Sequence, residues 1–69
     1  MQPVSISING EAREVAEGLT ISDLLTELGI RGDRVAVELN RAIVKQPNWG
    51  ETRIPAGAEI EIVQFVGGG

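Results

Sequence analysis

The sequence predicts an α+β roll, a mixed sheet of four to five strands with one short main helix packed on one face. Three observations lead there. Val4, Ile6 and Ile8 alternate with Ser5, Ser7 and Asn9 and run into Asn9-Gly10, the period of a half-buried strand followed by a strong short hairpin signal. Ile21, Leu24, Leu25 and Leu28 then fall at i, i+3, i+4 and i+7, the apolar stripe of a helix. Beyond the helix the two-residue period returns, in residues 35–39 and again from residue 59.

Each element follows from its residues. Asn-Gly suits a type I′ turn because both central residues need positive φ, so residues 11–16 form the return strand and Glu17-Gly18 ends it. Thr20 is placed to cap the helix, with Asp23 at the position of a capping-box acid. Gly29 stands where a left-handed residue closes a helix, and Ile30 supplies the apolar contact after it. The helix is about two turns long and cannot persist alone in water, so it must lie on the sheet. A polar connection, Arg31-Gly32-Asp33-Arg34, leads to a third strand in which Val35, Val37 and Leu39 alternate with Ala36 and Glu38. Asn40-Arg41 turns the chain into a short fourth strand, Ala42-Ile43-Val44. Pro47, Asn48 and Gly50 break the pattern and give an irregular or 3₁₀ turn at 46–49. Residues 52–54 are extended at best, and Pro55-Ala56-Gly57 turns again. In the last strand, residues 59–66, the apolar phase slips by one, from Ile60 and Ile62 to Val63 and Phe65. A side-chain period of two puts these pairs on opposite faces unless a bulge intervenes. The order strand, strand, helix, strand, short strand, strand is that of the ubiquitin-like β-grasp, with residues 1–66 as its domain and 67–69 as a flexible glycine tail.

Composition removes whole classes of chemistry. The 69 residues contain no Cys and no His, so thiolate nucleophiles, imidazole bases and the usual zinc and iron–sulfur sites lack an obligatory part. No bound cofactor or metal is expected. The net charge of −4, from 10 acidic and 6 basic residues, argues against nucleic acid or an anionic membrane as partner. It suits a partner with a basic docking face. One Trp, one Phe and no Tyr give no platform for stacking bases. Strictly apolar runs never exceed three residues, which predicts neither a transmembrane helix nor a signal peptide and points to the cytoplasm.

The ending Gly67-Gly68-Gly69 is the most informative feature. It offers no side chain to bury and follows directly on a strand, so it would project from a firm base and pass through a narrow channel in another protein. If Gly69 is the C-terminus, its α-carboxylate is ionised at neutral pH and can attack the α-phosphate of ATP in a partner's active site. The acyl adenylate so formed can pass to sulfur. A frayed end or a cloning remnant is the plain alternative.

At this point the chain resembles the ThiS family, the sulfur carrier proteins of thiamine biosynthesis, from end to end. The residues that carry the resemblance are Val4-Ser5-Ile6-Ser7-Ile8-Asn9-Gly10, Thr20-Ile21-Ser22-Asp23-Leu24-Leu25, Val35-Ala36-Val37-Glu38-Leu39-Asn40, Ile43-Val44 with Trp49, and the run from Ile60 to Gly69. The resemblance implies a carrier without catalysis of its own. Gly69 would be the residue adenylated and converted to a thiocarboxylate, and Gly67 and Gly68 the threading tail. The implied partners are an ATP-dependent adenylyltransferase of the ThiF type, a sulfur donor protein, and a thiazole synthase of the ThiG type that receives the sulfur. Two other readings stay beside it: the small subunit of molybdopterin synthase, which is usually longer, and a non-reactive β-grasp interaction module.

The remaining candidates have two readings each. Val63 and Phe65 are either a partner-docking patch on the face opposite the helix or core beneath the loop of Gln46 to Pro55. Trp49 reads as a loop anchor. Lys45, the only lysine, is either an isopeptide acceptor or a solvated charge. Glu59 and Glu61 share a strand face and either meet a basic partner or simply face water, and Asp23 and Glu27 read as solvent-facing helix residues.

Overall fold

The computed structural model describes residues 2–65 of the chain. Strands β1 (Pro3–Ile8) and β2 (Glu11–Ala16) form the opening hairpin, and helix α1 (Ile21–Leu28) follows. A 3₁₀ turn (Gly32–Arg34) leads into β3 (Val35–Leu39), which pairs with β4 (Ala42–Val44). A second 3₁₀ turn (Gln46–Glu51) and an irregular stretch then deliver β5 (Glu59–Gln64). The sheet order is β2-β1-β5-β3-β4, with β5 parallel to β1 and antiparallel to β3. This is the β-grasp arrangement, and it puts the last strand in the middle of the sheet. The strand count settles at five, β1 begins one residue earlier than the alternation suggests, and the described part of β5 ends at Gln64.

Local chemistry sets the turns and the helix ends. Asn9 and Gly10 take φ of 50° and 86°, the positive values a type I′ hairpin requires. Asn40 and Arg41 do the same between β3 and β4, with φ of 51° and 72°, so an arginine holds a left-handed conformation there without a glycine. At the helix start the Asp23 N–H donates to the Thr20 hydroxyl and the Thr20 N–H donates to the Asp23 carboxylate. The box closes with Asp in place of the more usual Glu. At the other end Gly29 is left-handed (φ 71°) and the Ile30 N–H reaches back to the Leu25 carbonyl at 2.9 Å.

The core lies between α1 and one face of the sheet. Ile21, Leu24 and Leu25 from the helix meet Ile6, Val15, Val35, Val37, Ile60 and Ile62 from the strands. Ile54 and Ala58 join them from the irregular stretch, which the sequence pattern leaves out of the core. That stretch is tied down by backbone bonds rather than periodicity: Ile54 N–H donates to the Leu19 carbonyl, and Ile21 N–H to the Thr52 carbonyl. Trp49 anchors the second 3₁₀ turn as the sequence suggests, buried with its indole N–H donating to the Val44 carbonyl at 2.7 Å. Its ring also lies over Gly32, where a Cβ would sit 2.8 Å from the ring edge, so only glycine fits without displacement.

Candidate functional site

The residues with the strongest sequence signal, Gly67, Gly68 and Gly69, lie outside the described residues, as does Val66. What the structure describes is the strand that leads to them. β5 is held on both sides. On the β1 side the Asn9 side chain acts as one more rung of the ladder: its Oδ1 accepts from the Ile62 N–H at 2.8 Å and its Nδ2 donates to the Ile62 carbonyl at 3.2 Å. Near the strand's start, Asn40 Oδ1 accepts from the Glu59 N–H at 2.9 Å, and the Asn40 N–H donates to the Glu59 carbonyl. Just past its end, the Phe65 N–H donates to the Arg34 carbonyl at 2.8 Å. The two turn asparagines therefore fix the course of β5 from Glu59 to Ile62.

The β3–β5 register also settles the phase slip. Pairing runs without a bulge from Leu39↔Ile60 to Val35↔Gln64. Ile60 and Ile62 thus point to the helix with Val37, while Val63 and Phe65 point the other way. Val63 is 53% exposed and Phe65 60% exposed. The reading that buries them beneath the loop after Gln46 is overturned, because that loop packs against α1 on the opposite layer, through Trp49. Ile43 of β4 is 70% exposed and belongs to the same face. Sequence reasoning did not place it on this face. The signal was available, since a two-residue turn at Asn40-Arg41 places residue 43 opposite residue 38.

Polar residues complete this open face. Glu38 lies opposite Ile43 on one side and opposite Glu61 on the other. Glu59, two residues before Glu61, has an exposed ion pair with Arg41 at 3.8 Å, which contributes little to stability. Lys45 is exposed at the start of the second 3₁₀ turn, and Asp23 and Glu27 face solvent on α1. Among the described residues no helix is long and apolar enough to cross a membrane.

A β-grasp sheet with β5 at its centre and an exposed apolar face, followed in sequence by three glycines, defines a ubiquitin-like domain. The ThiS family model matches residues 6–69, which takes in that tail. The chain is 39% identical over 66 residues to the thiazole synthase of Paramagnetospirillum magneticum, covering 96% of this chain and 20% of that protein. It spans about a fifth of the length of the thiazole synthases it matches. It is 30% identical to the sulfur carrier protein ThiS of Escherichia coli over 66 residues, 96% of this chain and 100% of that one. The crystal structure of the thiamine biosynthesis protein ThiS from Geobacter metallireducens superposes with a TM-score of 0.84 at 30% identity, covering 96% of this chain and all of that one. The chain belongs to the ThiS family.

Proposed function

We propose that this protein carries sulfur for thiamine biosynthesis on its terminal glycine. The observation that carries the reading is the ThiS match running through Gly69 at the end of a β-grasp domain. Two kinds of relative support the pathway. One is a sulfur carrier matched over its full length, and the other is a set of thiazole synthases that include a segment like this chain.

The chemistry is that of a co-substrate rather than a catalyst. The Gly69 α-carboxylate attacks the α-phosphate of ATP in the active site of an adenylating partner, and pyrophosphate leaves. Sulfide, released at the sulfide oxidation level by a donor protein, then attacks the glycyl carbonyl and displaces AMP. That leaves a C-terminal thiocarboxylate whose sulfur passes to thiazole synthase for the thiazole ring. Gly67 and Gly68 carry no side chain, so the tail enters a channel wide enough only for backbone. Within this chain, β5 and its asparagine clamps are the part that aims the tail.

Intact mass before and after incubation with ATP, a sulfur donor and the cognate adenylating enzyme tests this directly. The expected result is the exchange of one oxygen for sulfur, mapped to Gly69. Replacing Gly68 with Leu should abolish that exchange and leave the melting temperature unchanged. An unaltered mass with an enzyme shown to be active on another carrier would overturn the reading and favour the inert interaction module.

A further inference from the structure

The open face of β3, β4 and β5 contains a feature that folding does not explain. Glu38 and Glu61 are directly opposed across the β3–β5 ladder on the solvent side of the sheet. Like charges in that position are destabilising. Among the described residues neither carboxylate has a hydrogen-bond or ion-pair partner, whereas Glu59 on the same face has Arg41. The pair is bordered by apolar side chains. Ile43 lies directly across from Glu38, Val63 is the next same-face residue along β5 after Glu61, and Phe65 follows it.

We infer that this face docks a protein surface presenting an arginine ringed by apolar side chains, with the guanidinium lying between Glu38 and Glu61. Three points select that partner. Opposed side chains in a ladder stand about 5 Å apart at Cβ, a separation over which a guanidinium can donate to both carboxylates, and its rigid five-donor fork and weaker hydration suit it to a partly desolvated contact better than an ammonium. The chain as a whole carries −4, so a basic surface is drawn to it and an acidic one repelled. Ile43, Val63 and Phe65 would exclude water around the charge pair, which is how charged contacts at an interface become specific. A second copy of this chain fits poorly, because it would set four carboxylates against one another.

The inference rests on the carrier reading only for the choice of partner, the adenylating enzyme, and the test separates the two. Binding of the wild type and of the Glu38→Gln/Glu61→Gln double variant to that enzyme is measured by calorimetry without ATP, at low and at high salt. A Glu11→Gln/Glu27→Gln variant, with the same change in charge away from this face, is the control. The expected result is about tenfold or greater weakening for the Glu38/Glu61 variant and a flatter salt dependence, with the control close to wild type. Its melting temperature should equal or exceed that of wild type, because a like-charge contact has gone. Equal weakening in the control, unchanged binding in the Glu38/Glu61 variant, or no binding by wild type would each overturn the docking inference. So would wild-type dimerisation that Phe65→Ala abolishes. Sulfur loading of wild type, read by mass, tells the two readings apart: where it persists alongside any of these outcomes, the carrier reading stands and only the docking inference falls.

Discussion

The two faces of the β3–β5 pair differ by a single residue of phase and do opposite things. On the helix side, Val37 and Ile60 are each 1% exposed and pack against Leu24 and Ile21. On the other side, Ala36, Glu38, Glu61 and Val63 look outward, with Ile43 and Phe65 beside them. A domain of 69 residues has little apolar surface to spare, because a small core leaves a small margin of stability. Three large apolar side chains left in water are therefore not a by-product of folding. The difference teaches that one face of the strand pair builds the domain and the other is left open to solvent, the surface on which we infer docking.

The strongest way to break that comparison is to truncate one residue on each side of β5. Ile60→Ala removes a fully buried side chain from between α1 and the sheet and should cost about 2–5 kcal/mol. For a chain of this length, total stability is on the order of 3–10 kcal/mol, so this variant should lose a large share of it. Val63→Ala, three residues along the same strand, should cost no more than about 0.5 kcal/mol. Urea unfolding followed by circular dichroism gives both numbers. Similar losses at the two positions would mean that the faces are not divided as described.

A smaller effect sharpens the role of the strand itself. Asn9→Ala removes both side-chain hydrogen bonds to Ile62 and leaves a residue poorly suited to φ of 50°, for an expected loss of about 1–3 kcal/mol. Asn40→Ala has the same backbone problem, with φ of 51°, but gives up one side-chain bond, to Glu59. The difference between the two variants isolates the extra rung at Ile62. Hydrogen exchange at the Ile62 amide should accelerate in Asn9→Ala and not in Asn40→Ala.

Much of this was legible in the sequence because the signals are local. Asn9-Gly10, the Thr20–Asp23 cap and the Gly29-Ile30 stop each report their geometry within a few residues, and the structure has all three. The glycine tail was equally plain as a motif. The irregular residues 52–58 were not, because Ile54 and Ala58 are buried by contacts with Leu19 and β1 that no period records. The slip between Ile62 and Val63 could be seen, but its direction could not. It is decided by pairing with β3, some 25 residues earlier in the chain, where Val37 lies opposite Ile62. For the same reason the open face could not be assembled from the sequence. Its members come from three strands, and Glu38 meets Ile43 and Glu61 only through the register.

The finest test of the two faces is the one with the smallest effect on folding. Phe65 is the last described residue, 60% exposed, and its backbone rather than its ring ties it to the fold, through the bond to Arg34. Phe65→Ala keeps that bond and removes only the ring, so the change in stability should stay within about 0.5 kcal/mol. On the docking inference, the same variant should bind the adenylating enzyme several-fold more weakly and load sulfur with a raised KM. The turnover number should be unchanged, since Gly69 still reaches the same active site once the complex forms. A fall in turnover at unchanged KM would instead make Phe65 a residue that steers the tail. A marked drop in melting temperature would return its ring to the core and erase the division between the faces at that end of β5.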